Sequence, residues 1–275
     1  MAEKLQYAVH QYGSQHELQR LGVWEVDTKD TTKPWVVYIH GGAWRDPRIL
    51  LETFVPTIDE LSRQDKYAGA MRRVAGFVSL DYRLSPHPDL PQDPAVTSPR
   101  QFRNAQHPDH LDDVRQAMAF LQTRYSMGRR YVLVGHSAGA CLALQLTASP
   151  GGVALPQAII GVSGIYDLTG INERSGGSYG GFLTGAFGDA STWDPVAPRT
   201  CSADFAVALA GCSVLLARSQ DDELVDEPEI DNMAERLRAD YCSPSVWKDL
   251  RGPHDSCWEE GKELARLIAR LLDGW

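Results

Sequence analysis

The strongest constraint on the fold sits at residues 131–148. There an apolar run, Tyr131-Val-Leu-Val134, passes through Gly135-His-Ser-Ala-Gly139 straight into a second apolar stretch, Ala140–Ala148. The first run has the length and β-branched content of a buried strand, the second the length of a helix. Reversal between them within five residues needs a turn too tight for side chains on either flank of its apex, and both flanking positions are glycine. Such a turn lifts the Ser137 hydroxyl above the sheet and leaves the next N–H groups at a helix N-terminus.

The same alternation recurs along the chain. Trp35–Ile39, Val74–Leu80, Ala158–Val162, Ser213–Ala217 and Ser245–Trp247 read as further strands. Helices are expected near Ile49–Gln64 and over His110–Tyr125, Glu227–Ala239 and Trp258–Leu272. In His110–Tyr125, Leu111, Val114, Ala117, Met118 and Leu121 fall on one face. Strand–helix alternation predicts an α/β protein with a mostly parallel central sheet and helices on both faces. Ligands of such sheets bind at the carboxyl ends of the strands, so residues just after strands are the candidates for chemistry. Two stretches break the pattern. Ser85–Pro108 carries six prolines (Pro86, Pro88, Pro91, Pro94, Pro99 and Pro108) and is incompatible with a helix or central strand. Leu168–Thr200 is rich in glycine and aromatics without a clear period, and is expected to form a lid or substrate-binding insertion.

Composition excludes several classes. At 275 residues the chain is long enough for one large core, and a single domain over 1–275 is expected. A formal net charge of −9 with no basic stripe argues against nucleic acid. No run approaches the ~18 apolar residues of a membrane span, and Met1–Arg20 is too polar for a signal peptide. The cysteines (Cys141, Cys201, Cys212, Cys242 and Cys257) are odd in number and lack metal-ligand spacing, which fits reduced thiols in the cytoplasm.

A serine hydroxyl needs a base, and the base needs an orienting carboxylate. Of the eight histidines only His254 follows Ser137, in the loop Leu250-Arg-Gly-Pro-His254 after a strand. The carboxylate should follow the preceding strand, where Asp221, Asp222 and Glu223 compete. Asp222 fits best, because Val225 lies three residues on and can pack under the loop; Asp221 and Glu223 remain alternatives. Attack on a carbonyl also needs N–H donors for the developing oxyanion. His40-Gly41-Gly42-Ala43-Trp44 follows a strand and offers bare N–H groups at Gly41, Gly42 or Ala43, to act with Ala138 of the elbow. His40 is expected to support this loop.

Taken together, His40-Gly-Gly-Ala-Trp44 with Arg45-Asp46-Pro47, the elbow, Ser219-x-x-Asp222-Glu-Leu, Asp81-Tyr-Arg-Leu-Ser-Pro86 and His107-Pro-Asp-His-Leu-Asp-Asp113 resemble kynurenine formamidase (arylformamidase) of the fungal type. The resemblance spans roughly residues 35–272. It implies an α/β-hydrolase fold, N-formyl-L-kynurenine as substrate, no metal or cofactor, and often a homodimer. Trp44, Tyr82, Tyr179, Phe182 and Trp193 are candidate walls for the aromatic leaving group. Two rival readings remain. A carboxylesterase of the hormone-sensitive-lipase-like kind would share every catalytic residue. A non-catalytic binding protein on the same fold would be expected to have lost one of them.

Overall fold

The computed structural model describes residues 5–274; Met1–Lys4, the start of the stretch read as polar, and Trp275 lie outside the described residues. The strands are β1 (Gln6–Gln11), β2 (Arg20–Glu25), β3 (Trp35–Ile39), β4 (Gly76–Leu80), β5 (Tyr131–His136), β6 (Ala158–Val162), β7 (Ser213–Ser219) and β8 (Ser245–Leu250). The helices are α1 (Val55–Arg63), α2 (Ala68–Arg72), α3 (Asp109–Tyr125), α4 (Ala138–Ala148), α5 (Leu168–Arg174), α6 (Gly180–Phe187), α7 (Phe205–Ala208), α8 (Glu227–Ala239), α9 (Ser256–Glu259) and α10 (Lys262–Asp273).

The strands form one sheet in the order β1-β2-β4-β3-β5-β6-β7-β8. β2 runs antiparallel to both its neighbours, β1 and β4, and every pairing from β4 to β8 is parallel. Side chains alternate between two cores, as the pleat requires. Val37, Ile39 and Leu133 face the core that holds α3 and α4, while Val36, Tyr38 and Val132 face the one that holds α1 and α10. Leu111, Val114, Ala117, Met118 and Leu121 of α3 are all buried there, so the helical stripe read in the sequence is the packing face.

The strand order places the site. β3 pairs with β4 on one side and with β5 on the other, so the chain changes winding direction at β3. A crevice opens where two successive crossovers leave in opposite directions. Ile39 lies opposite Gly135 in the β3–β5 register, which puts the His40 loop beside the elbow at that crevice.

Three differences from the sequence reading have local causes. β1 gives a weak signal because it pairs on one side only and leaves Tyr7 and Val9 about half exposed, while β2, though buried and paired on both sides, is a short run with Gly22 inside it and charged residues at both ends. The segment after β6 folds into α5 and α6, although Gly180, Gly181 and Gly185 lower helix propensity and obscure any period. The expected helix over Trp258–Leu272 is two helices, broken at Gly261. That residue has φ 72°, and a Cβ on it would lie 2.3 Å from the Thr57 amide nitrogen, so only glycine fits between α9 and α10. No helix or strand forms between Leu80 and Asp109, as the prolines require. Among the described residues, no helix is long and apolar enough to cross a membrane.

Candidate active site

Ser137 caps α4 with φ 53° and ψ −120°, a strained conformation for a residue with a side chain. Its N–H is held by the Val162 carbonyl at 2.9 Å. The flanking glycines are steric necessities. A Cβ at Gly135 would lie 2.4 Å from the Gly139 carbonyl oxygen, and one at Gly139 would lie 2.1 Å from that of Ile39. The elbow therefore packs directly onto the end of β3. A Cβ at Gly41 would meet the Ser137 Cβ at 2.9 Å, so the loop packs directly against Ser137.

The loop after β3 is a left-handed turn, with φ of 84° at Gly42, 49° at Ala43 and 58° at Trp44. The Gly42 carbonyl closes it by accepting from the Arg45 and Asp46 N–H groups, both at 2.9 Å. His40 is buried beneath the loop, and desolvation pushes its imidazole down to about 4, so it is neutral near pH 7. Its Nδ1 lies 3.0 Å from the Gly41 carbonyl, its Nε2 lies 3.6 Å from Asp81, and its ring stacks on Tyr82 at 4.4 Å. The Tyr82 hydroxyl donates to the Gly41 carbonyl at 3.0 Å and the His40 carbonyl at 3.2 Å. The loop's carbonyls are thus held from beneath. Among the described residues, no protein acceptor takes the N–H of Gly42 or Ala138.

All three acids after β7 engage the His254 loop, each at a different point. The Asp222 carboxylate lies 3.0 Å from His254 Nδ1 through both oxygens. Asp221 accepts the Gly252 N–H at 2.9 Å, and Glu223 accepts the His254 N–H at 3.0 Å. Asp222 Oδ1 also accepts the N–H groups of Leu224 at 3.0 Å and Val225 at 2.9 Å. Burial opposes ionisation of Asp222. The hydrogen bond and charge of His254, helped by the Ser163 hydroxyl and the Val225 amide, more than offset it and hold the carboxyl at about 2. The buried His136 ring packs 4.5 Å from that of His254. Of the described side chains able to ligate a metal, His136, His254 and Asp255 gather their ligand atoms within 4.8 Å of one another. His254 already gives Nδ1 to Asp222, so a metal there would take the nitrogen that a base needs.

Ser137 and His254 border one cavity of about 310 Å³. Its wall is built from Gly42, Ala43, Arg45, Asp46, Ile49 and His87 on one side and Ile165, Ser178, Tyr179, Phe182, Leu224 and Val225 on the other, with Asp255 beside His254. Two of the five expected aromatic walls, Tyr179 and Phe182, line it. The other three do not. Trp44 is fully buried because the left-handed turn directs its indole into the core, against Phe187 at 4.9 Å and behind Phe182 at 6.2 Å. Tyr82 is fully buried beneath the His40 loop, and Trp193 is buried with its Nε1 donating to the Gly188 carbonyl at 3.1 Å. The sequence reading assigned no role to Arg45, Asp46, His87, Ile165 or Asp255. Of these, Ile165 follows a strand end, the one signal that could have singled it out.

The wall formed by α5 and α6 is tied to the acid loop. Arg174 pairs with Asp226 at 2.6 Å and with Glu229, and the Tyr179 hydroxyl donates to the Leu224 carbonyl. Burial pushes Glu229 up to about 7, against the Tyr166 and Asp167 amides and Arg174, which hold its charged form.

No protein-family model matches the chain. It is similar to a kynurenine formamidase of Aspergillus versicolor, 35% identical over 253 residues that cover 82% of this chain and 84% of the relative. A kynurenine formamidase-like hydrolase of Fusarium equiseti is 32% identical over 259 residues, 87% of this chain and 83% of the relative. A kynurenine formamidase of Meyerozyma guilliermondii is 29% identical over 271 residues, 95% of this chain and 92% of the relative. Among solved structures, the esterase LipW from Mycobacterium marinum matches with a TM-score of 0.70 at 19% identity, over 98% of this chain and 82% of its own. A hormone-sensitive lipase from a metagenome library matches with a TM-score of 0.68 at 19% identity, over 99% and 87%. At such identity these structures establish the fold, which is that of the α/β-hydrolases.

Proposed function

The chain belongs to the kynurenine formamidase family, and from that premise we propose that it hydrolyses N-formyl-L-kynurenine to L-kynurenine and formate, a step of tryptophan degradation, with Ser137, His254 and Asp222 as its triad. The observation that carries the catalytic assignment is a strained serine sharing a cavity with a histidine whose far nitrogen is held by a buried, ionised carboxylate.

Ser137 attacks the formyl carbon as His254 takes the hydroxyl proton. The N–H groups of Gly41 or Gly42 and of Ala138 receive the oxyanion. His254 then gives its proton to the aniline nitrogen, the C–N bond breaks, and L-kynurenine leaves. Water, deprotonated by His254, attacks formyl-Ser137 and releases formate. The formyl group needs little room, so most of the cavity is available to the aromatic leaving group.

Incubation of the pure protein with N-formyl-L-kynurenine, followed by kynurenine absorbance, tests the substrate. A fluorophosphonate probe that labels wild type and not Ser137→Ala tests the nucleophile. Turnover of short p-nitrophenyl esters without turnover of N-formyl-L-kynurenine would instead support a carboxylesterase. The five free thiols support a cytoplasmic location. The homodimer is an expectation from the family, checked by light scattering.

A further inference from the structure

We propose that Arg45 recognises the carboxylate at the amino-acid end of the substrate; this assignment rests on the formylkynurenine reading. Arg45 borders the catalytic cavity and also a second one of about 440 Å³, walled by the proline-rich loop, and the two cavities share Arg45 and His87. Arg45 therefore stands between the catalytic cavity and the one beside the loop at 86–103.

Its charge has no carboxylate partner within 4.0 Å among the described residues. The neighbouring acid, Asp46, is occupied by Arg48 at 2.6 Å. Arg20, Arg83 and Arg236, also half-buried, hold Asp81 at 2.7 Å, Asp113 at 2.8 Å and Asp240 at 2.9 Å, whereas Arg103 and Arg218, like Arg45, hold no carboxylate among the described residues and donate to backbone carbonyls instead. A half-buried guanidinium left unpaired is costly, and a planar fork with free donors matches a carboxylate in bidentate geometry. Burial lowers the basicity of Arg45, against the charges of Asp89 and Asp46, which raise it. Its carbon centre lies 5.5 Å from the ring centroid of Phe182, itself a cavity wall, so the fork is steadied by an aromatic face.

The position is also registered to the chemistry. The Arg45 N–H is bonded to the Gly42 carbonyl at 2.9 Å, so the reader of the carboxylate and the donors for the oxyanion are parts of one turn. A substrate anchored at Arg45 is thereby set at a fixed distance from the oxyanion glycines. Formanilide and simple esters have no group to meet it.

The test compares wild type, Arg45→Met and Arg45→Lys on N-formyl-L-kynurenine and on its carboxyl methyl ester. Arg45→Met should lower kcat/KM for the free acid by about 10²-fold, mainly through KM, and Arg45→Lys by less, because it keeps a point charge without the fork. On the methyl ester both variants should stay within about threefold of wild type, the scale of an exposed charge contact. An equal loss on acid and ester overturns the assignment. If wild type does not cleave N-formyl-L-kynurenine, the substrate reading fails, and Arg45 is judged by titration calorimetry with 3-phenylpropanoate. Binding by wild type and not by Arg45→Met sustains an anion site; no binding by wild type, or equal binding by both, overturns it.

Discussion

Replacing Asp222 by Asn keeps the shape of the site and reverses one hydrogen bond. Oδ1 of Asp222 accepts two backbone N–H groups, Leu224 at 3.0 Å and Val225 at 2.9 Å. The carbonyl oxygen of the new amide must stay there, because an NH₂ group cannot accept. The NH₂ then occupies the place of Oδ2, 3.0 Å from His254 Nδ1. Oδ1, also 3.0 Å from Nδ1, is then the one acceptor left and already serves two N–H groups, so the Nδ1–H form loses support against the Nε2–H form, which lacks the lone pair that Ser137 needs. In a serine protease the analogous change costs ~10⁴ in kcat, and the same magnitude is expected here. Asp221→Asn keeps an acceptor for the Gly252 N–H and should cost less than about tenfold, the scale of one net hydrogen bond. The assay is formyl release at saturating substrate, with circular dichroism to confirm the fold. A second readout follows from linkage. The folded-state pKa of Asp222, about 2, is depressed from 3.8. Its ionised form therefore contributes on the order of 2 kcal/mol that is present above about pH 4 and lost as pH falls toward 2. Acid denaturation of Asp222→Asn should lack that part of the pH dependence. If Asp221→Asn is the crippled variant, or Asp222→Asn loses less than tenfold, the orienting role belongs elsewhere.

Ser137→Ala should remove up to about 10⁶ of kcat while leaving the thermal melt within a degree or two of wild type; a loss below tenfold would sink the nucleophile assignment. Gly139→Ala drives a methyl to within 2.1 Å of the Ile39 carbonyl oxygen, so calorimetry should show a lowered Tm together with lost activity. Gly181→Ala is the contrasting case: nothing lies within 4 Å of the added carbon, and a helical alanine should stabilise by about 0.5–1 kcal/mol. N-formyl-L-kynurenine should exceed formanilide in kcat/KM by orders of magnitude, since a site with buried polar partners rejects an analogue that lacks their groups. Equal values would mark a general amidase.

Legibility followed locality. Ser137 and its glycines could be read because the steric demand of the elbow is met within five residues of one segment. The carboxylate was legible as a preference: the spacing to Val225 favoured Asp222 over Asp221 and Glu223, and the path of the chain after β7 brings Asp222 to the imidazole while the other two meet backbone N–H groups. The walls were the least legible. Whether an aromatic faces a cavity or the core depends on backbone handedness, and Trp44 is turned inward by a φ of 58° that its sequence neighbours do not announce. The central strands stood out because both their faces are buried, whereas the edge strand β1 exposes both and looks like any polar stretch.

The ties between the α5–α6 wall and the acid loop join one side of the cavity to the segment that carries Asp222. Arg174 grips Asp226 and Glu229 at the start of α8, and Tyr179 grips Leu224, two residues from Asp222. A displacement of that wall large enough to part Tyr179 from Leu224 strips a hydrogen bond from the loop that keeps His254 in its working tautomer. Were the wall to open and return around a substrate, its return would restore the contact at Leu224 and with it the support of the segment that carries Asp222.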